Sequence, residues 1–482
     1  MSVATIGHPC ARRSWLILWA SLLVLTPLVA LGPSQEAHAA TSLTGLRVVG
    51  NQLVNSSGQA VRLLGVNRSG TQYACVEGGG VFDGPVDDAA INAMVAWGMN
   101  AVRVSLNEHC WLGINGSPAA TSGATYQNAI ADFVARLNAH GMAVILDLHW
   151  NAPGTQLARG QQAMADRDHS PEFWRQVAAR FKDNGAVLFD LYNEPHPDFE
   201  RDTTEAWRCW RDGGTCAGVS FQVAGMQELV NAVRSTGATN IVMATGVVWG
   251  NHLTRWLEYR PSDPAGNLAA GWHSYHDGLS ECDDSTSACL DAKLGAVAQQ
   301  FPLVATEIGQ FDCRHDHIEA VMSWLDAHGQ SYTAWSWMPS GCTAEPALIT
   351  DWNGTPTQTY GQGFRDHLAR VGGTVPALPP TTDPGAPTAP SNLAATQTGS
   401  PKRQVVDLRW TDTASTEAGF VIERSTTAGF TGNIVGYRAA ANATSYRDTA
   451  VGRRTTYYYR VAAVGATGVR SAWSNVATVI TR

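Results

Sequence analysis

Positive charge is in short supply in this sequence: 33 Lys and Arg stand against 41 Asp and Glu, a formal charge of −8. No basic stripe is present for a nucleic acid or an anionic lipid surface, so neither partner is expected. No two cysteines are spaced as CxxC, which removes the common zinc framework. The two histidines of Arg314-His-Asp-His317 sit at a spacing that chance supplies, so no metal and no cofactor is expected. No GxGxxG follows the first strand-like run, which ends Gly65-Val-Asn67-Arg68-Ser69. That argues against a doubly wound nucleotide-binding sheet.

One long apolar run stands at the N-terminus, residues 15–31. Arg12-Arg13 precede it, Pro27 interrupts it, and Ala37-His38-Ala39 follows as a small-x-small cleavage site. Residues 1–39 therefore read as a secretory signal peptide, and the mature chain is expected to be extracellular, off the membrane and monomeric. Cleavage removes two Arg and one Glu, leaving the chain one unit more acidic. Cys10 leaves with the signal. The other cysteines are 75, 110, 209, 216, 282, 289, 313 and 342, an even set that reads as disulfides in an exported chain.

What is abundant is alternation. Residues 46–59 look like a β-hairpin turning at 55–58. Strand-like runs follow at 61–67, 101–106, 143–149, 187–194, 240–246, 269–275, 303–309 and 332–338. Helical patterns lie between them at 89–97, 126–140, 171–184, 219–236, 290–301 and 315–328, with a last one at 364–371. The fifth crossover, around 253–259, is the least regular. Ser170-Pro171 reads as a helix cap followed by a first-turn proline. Eight β/α units in one stretch predict a (β/α)8 barrel over 40–371. Residues 372–390 are mostly Gly, Thr, Ala and Pro, an extended linker. Residues 391–482 carry short alternating strands at 405–410, 419–425, 445–448, 456–463 and 477–481, a small all-β sandwich. Within the barrel, Cys75 and Cys110 follow adjacent strands, as do Cys313 and Cys342. Cys209/Cys216 and Cys282/Cys289 each close a short loop. The expected pairs are 75–110, 209–216, 282–289 and 313–342.

The most telling segment is Leu188-Phe-Asp-Leu-Tyr-Asn-Glu-Pro195. A run that looks buried on both sides ends in Asn193-Glu194-Pro195. A carboxylate there is costly to bury unless something needs it. A second one, Glu307, closes the run Pro302-Leu-Val-Ala-Thr-Glu307. In a barrel both strand ends open onto one face. Two carboxylates converging there are what glycoside hydrolysis requires: one protonated to assist the leaving oxygen, one ionised to attack or to activate water. The negative charge of Glu307 should raise the pKa of Glu194.

On these residues, 42–371 resembles glycoside hydrolase family 5, the cellulase family of retaining (β/α)8 enzymes. The resemblance implies Glu194 as acid/base and Glu307 as nucleophile. Gly98-Met-Asn-Ala-Val-Arg103 is similar to the segment whose Arg hydrogen-bonds the nucleophile. Asp147-Leu-His149-Trp150 resembles the segment whose His lines the sugar subsite, with Trp150 beside it. Asn193 is expected to donate to the substrate 2-hydroxyl. Trp272-His273-Ser-Tyr275 resembles a His-x-Tyr pair whose Tyr275 donates to the nucleophile. Ala334-Trp335-Ser-Trp337 implies Trp335 as the subsite floor, with Trp337 pointing the same way by period two. In the C-terminal region, Trp410, Tyr457-Tyr-Tyr459-Arg-Val-Ala-Ala and Ser471-Ala-Trp-Ser474 resemble a fibronectin type III domain. Its aromatics read as core, with Trp473 the one candidate for gripping polysaccharide.

The family default is an endo-β-1,4-glucanase acting on a carbohydrate polymer. Long loops at 73–88, 107–125 and 154–169 keep open an exo-acting β-glucosidase or a diglycosidase on short or aryl glycosides, and β-mannan is a further option. A barrel that binds sugar without cutting it would have lost a glutamate, and both are present.

Overall fold

The computed structural model describes residues 43–276, 282–283, 285–342, 345–371, 387–400, 403–427, 430, 435–465 and 471–482. The expected signal peptide and residues 372–386 of the linker lie outside these. Eight parallel strands close into a barrel: β1 (Leu64–Arg68), β2 (Ala101–Asn107), β3 (Ala143–Trp150), β4 (Val187–Asp190), β5 (Val242–Thr245), β6 (Leu268–His276), β7 (Leu303–Gln310) and β8 (Ser331–Ala334). Each pairs with its neighbours in sequence, and β8 returns to β1 with Tyr332 opposite Leu64.

Both strand faces are covered, which is why the strands read as nearly unbroken apolar runs. Val102, Val104, Val144, Leu146 and Phe189 join the outer core shared with the helices. The alternate residues Ala101, Ile145, Leu188 and Met243 fill the N-terminal half of the barrel. Leu46, Leu53, Val61 and Leu63 join that inner cluster from the segment before the barrel. This segment folds as a three-stranded antiparallel sheet, Arg47–Val49, Gln52–Val54 and Ala60–Val61, rather than a simple hairpin. The turn at 55–58 joins its second and third strands. The Leu46 N–H donates to Gly185 O at 2.8 Å, tying the sheet to the barrel's lower end. Two residues further along the same inward rows come Arg103, Asp147, Asp190 and Thr245. The barrel thus changes from a greasy floor to a buried polar layer within one side-chain step.

Several element ends differ from expectation. β4 stops at Asp190, not at 194. Beyond it the backbone leaves regular pairing and bends at Asn193, while Leu191 N–H still donates to Met243 O at 3.0 Å and Asn193 N–H to Leu148 O at 3.1 Å. β8 stops at Ala334, so period two does not carry Trp337 to the rim. That side chain is fully buried, packed edge-on against Trp97 at 4.9 Å. The helix expected over 219–236 spans Met226–Arg234. Gln222–Val223 pairs instead with Gly214–Thr215. The fifth crossover holds one short helix, Trp256–Tyr259. Ser170 is the first residue of the helix Ser170–Phe181, not its cap. Its hydroxyl donates to the buried Glu108 Oε2 at 2.5 Å, while Asp166 Oδ1 accepts the His169 N–H. Among the described residues, no helix is long and apolar enough to cross a membrane.

Residues beyond the linker form two antiparallel sheets. One holds β9 (Ser391–Ser400), β10 (Arg403–Thr411) and β13 (Ser445–Asp448). The other holds β11 (Glu417–Ser425), β12 (Val435–Ala440), β14 (Thr456–Gly465) and β15 (Ala477–Ile480). Trp410, Tyr457 and Tyr459 are buried in their common core with Val406, Phe420 and Ile422. Trp473 is half-buried, with the Arg460 guanidinium 4.3 Å from its ring centroid.

All four disulfides join the expected cysteines. Cys75–Cys110 spans 35 residues and ties the short helix Ala74–Glu77 after β1 to the short helix Glu108–Leu112 after β2. Opening a loop of that length releases unfolded-chain entropy worth about 4 kcal/mol. The double variant Cys75→Ser/Cys110→Ser should lose about that much in urea unfolding. A loss below about 1 kcal/mol would show that the bridge constrains nothing.

Candidate active site

One guanidinium organises the polar layer. Arg103, on β2, is fully buried and every nitrogen is engaged. Nε donates to Asp190 Oδ2 at 3.0 Å, and Nη1 donates to Asn67 Oδ1 at 2.9 Å and Glu307 Oε1 at 2.7 Å. Nη2 donates to Asn193 Oδ1 at 2.8 Å and lies 3.1 Å from Asp147 Oδ1. Burial pulls the Arg103 pKa down, but Asp147, Asp190 and Glu307 more than offset it, and the guanidinium is held above its ordinary range. Burial pushes Asp147 up to about 7 and Asp190 to about 6, with Arg103 pulling both the other way. Taking a carboxylate out of water favours its protonated form, and at Asp147 and Asp190 that effect outweighs the nearby guanidinium; at Asp190 the charge of Asp147 adds to it.

Glu307 sits where β7 is irregular. Its pairing slips against β6 between Trp272 and His273, and against β8 between Ala305 and Ile308. Such a bulge re-aims a side chain and frees a backbone carbonyl. Asn67 Nδ2 donates to Thr306 O at 2.8 Å, as does Thr333 Oγ1 at 2.5 Å. Asn67 therefore braces the bulge with its nitrogen and Arg103 with its oxygen. Glu307 Oε2 accepts from Tyr275 Oη at 2.6 Å. Gly309 leaves room for that phenol, since a Cβ there would fall 2.3 Å from Tyr275 Cε1.

Glu194 follows the end of β4. Its side chain keeps 18% of its surface exposed and is otherwise enclosed. Enclosure raises its pKa to about 7, with His149 opposing. The expected rise is present, but its main cause is burial rather than the charge of Glu307. His273 Nδ1 lies 2.9 Å from Glu194 Oε1 and 3.6 Å from Glu307 Oε2, between the two carboxyl groups. Burial lowers His273 and His149 to about 4, so both rings are neutral near pH 7. His273 Nε2 is buried with no hydrogen-bond partner among the described residues, which favours the tautomer with its proton on Nδ1. His149 Nδ1 meets Asp147 Oδ2 at 2.6 Å, and its ring stacks on half-buried Trp335 at 5.7 Å. Trp150 packs on Tyr73 at 6.2 Å and has no described contact with the carboxyl groups.

The structure thus gathers Arg103, His149, Asn193, Glu194, His273, Tyr275, Glu307 and Trp335, and leaves Trp150 at the edge. Sequence reasoning passed over Asn67, Asp190, Thr245 and Gln161. Asp190 was legible: it is a carboxylate inside the apolar run of β4, and Thr245 Oγ1 donates to it at 3.0 Å. Gln161 left no signal, since it lies in an irregular loop.

Two clusters have metal-ligand spacing among the described residues: Asp166/Asp168/His169, and Glu194/His273/Glu307, each with ligand atoms within 4.8 Å of one another. In the second, Arg103 and Tyr275 already donate to the Glu307 oxygens, and a guanidinium repels a cation. It reads as a pair of carboxyl groups bridged by a histidine. In the first, Gly154 N–H donates to Asp168 Oδ2 and Gly154 O meets His169 Nε2. These bonds hold a turn together.

A family model described as Cellulase (glycosyl hydrolase family 5) matches residues 54–341. The chain is 23% identical over 361 residues to a mannan endo-1,4-beta-mannosidase of Streptomyces lividans, covering 70% of this chain and 81% of that one. It is 31% identical over 158 residues to Endoglucanase 1 of a Robillarda species, 28% of this chain and 36% of that relative's length. The fold is similar to a β-glucanase from Saccharophagus degradans solved with cellotetraose, with a TM-score of 0.53 at 20% identity over 70% of this chain and 97% of that one.

The raised pKa of Glu194 makes a stability prediction. Its folded value, about 7, lies above the ordinary 4.5, so the fold binds this proton more tightly than the unfolded chain does. That contribution is full below 4.5 and is lost as pH rises through about 7. Glu194→Gln removes the titration. In urea unfolding at pH 5 and pH 8, the variant should gain stability relative to wild type at the higher pH. An unchanged difference would mean that Glu194 titrates normally.

Proposed function

This chain belongs to glycosyl hydrolase family 5, and on that footing we propose that it is a secreted endo-β-1,4-glucanase working by double displacement. The observation that carries the mechanism is spacing: an oxygen of Glu194 and an oxygen of Glu307 lie within 4.8 Å of each other. Retaining enzymes hold their carboxyls about 5–5.5 Å apart, whereas inverting ones leave about 6.5–9.5 Å for a water.

Glu307 carries a guanidinium on one oxygen and a phenol on the other, donors suited to an attacking carboxylate. It attacks the anomeric carbon while Glu194, protonated below about pH 7, gives its proton to the leaving oxygen. The sugar is then bonded to Glu307. Glu194, now ionised, takes a proton from a water that attacks the same carbon, and the Glu307–sugar bond breaks. His273 hydrogen-bonds Glu194 throughout and keeps its carboxyl aimed at both leaving group and water. Neutral His149, with Nδ1 turned to Asp147, presents Nε2 as an acceptor for a sugar hydroxyl. Trp335 offers its ring face to the sugar. Residues 391–482 are proposed as a separate fibronectin type III-like domain.

The substrate is chosen between two β-linked glycans. Family description and the glucan-acting relatives favour glucan. The mannosidase that matches 70% of the chain favours β-mannan as the second reading. A panel of carboxymethylcellulose, mixed-linkage glucan, mannan and aryl β-glycosides, with product sizes followed by chromatography, decides between them. Random shortening of the β-1,4-glucan is the expected outcome. Activity on aryl or short glycosides alone would replace endo action with exo action. Glu307→Ala should lose at least about 10⁴-fold in kcat. Azide should restore turnover and give a glycosyl azide of inverted configuration. Wild-type-like turnover of Glu307→Ala would remove the nucleophile assignment.

A further inference from the structure

Double displacement makes no direct use of the loop after β3, yet that loop grips the Asn193–Glu194 pair. Residues 161–163 run alongside 192–196. Tyr192 Oη donates to Gln162 O at 2.5 Å, Asn193 Nδ2 donates to Gln161 Oε1 at 2.7 Å, Gln161 Nε2 donates to Glu194 O at 3.0 Å, and His196 N–H donates to Ala163 O at 2.9 Å. The loop is fastened at its other end as well. Asn151 Nδ2 donates to Asp166 Oδ2 at 2.9 Å, and Asn151 Oδ1 lies 3.0 Å from the Tyr192 Oη whose proton goes to Gln162 O.

We infer that Gln161 is a positioning residue for catalysis, which locks the amide of Asn193 and the backbone of Glu194 so that both face the scissile linkage together. The inference rests on the assignment of Glu194 as acid/base. A single planar amide serves two neighbouring residues, accepting from one and donating to the next. Asn193 Oδ1 is committed to Arg103, so its amide cannot flip. Of its two Nδ2 protons, one goes to Gln161 and the other is left for a substrate hydroxyl. Beyond Asp190 the chain has no regular strand pairing to hold it, so Gln161 supplies what the ladder no longer does. With Nε2 on the Glu194 backbone carbonyl, the same amide stands close enough to the carboxyl to favour its ionised form, opposing the effect of burial. The polar residue that completes the acid/base site therefore comes from a loop, not from a barrel strand.

The test compares leaving groups. Phenyl β-cellobioside needs protonation of its leaving oxygen and 2,4-dinitrophenyl β-cellobioside does not. In the full-length protein, Gln161→Ala and the near-isosteric Gln161→Met should lose roughly tenfold or more in kcat/KM on the phenyl substrate. The loss on the dinitrophenyl substrate should stay under about threefold. The alkaline limb of the kcat/KM profile should move upward, because a donor favouring the carboxylate is gone. Gln161→Glu keeps the acceptor for Asn193 and loses the donor, so it should move the limb furthest. Equal losses on both substrates, or an unmoved limb in folded Gln161→Met, would reduce Gln161 to a structural loop residue and overturn the inference. Glu194→Gln is run beside them. Leaving-group dependence in Glu194→Gln without any in the Gln161 variants sinks this inference alone. Its absence in Glu194→Gln sinks the acid/base assignment and this inference with it.

Discussion

Arg103 is the interaction on which the site depends. A single buried guanidinium touches Asn67, Asp190, Asn193 and Glu307 and sits beside Asp147. Taking that many charged groups out of water is costly, and the cost is tolerable only because every Arg103 nitrogen finds an acceptor. The geometry that results is rigid. Glu307, Asn193 and the bulge braced by Asn67 are all referred to one planar fork. Lysine could supply the charge but not the fork.

The barrel prepares this network by layering. Inward rows begin with Ala101, Ile145, Leu188 and Met243, above the apolar side chains of the small N-terminal sheet. The next inward residues are Arg103, Asp147, Asp190 and Thr245. An apolar floor keeps water away from the polar layer and strengthens each charge interaction in it. It also explains why burial dominates the pKa values of Glu194, Asp147 and the two histidines. The two glutamates are told apart by surroundings rather than by residue type. One glutamate is enclosed beside a neutral histidine, and the other is held by a guanidinium and a phenol.

Much of this was legible in the chain. The eight-fold alternation gave the barrel, because strands covered on both faces must read as apolar runs. Two disulfide pairs, 75–110 and 313–342, followed from which loops such a barrel makes adjacent, and the other two from short spacing along the chain. Glu194 and Glu307 stood out because carboxylates do not belong at the ends of greasy strands. Reading failed where local pattern and tertiary geometry part. β4 was extended to Glu194 since the apolar pattern continues, yet regular pairing ends at Asp190. Period two sends Trp337 the same way as Trp335, but β8 ends first and the Trp337 ring turns into the core. Ser170 had the look of a cap and serves a buried glutamate instead.

The sequence by itself determined the fold class, the two carboxylates and most of their attendants, because hydrophobic period and buried charge are local and leave marks on the chain. Only the tertiary structure decided how those groups are braced. The bulge at Thr306–Glu307 held by Asn67, the shared guanidinium and the reach of Gln161 across to Glu194 join residues far apart in the chain. Such contacts are fixed by where strand ends and loops meet in space, and no repeat or spacing along the chain encodes them.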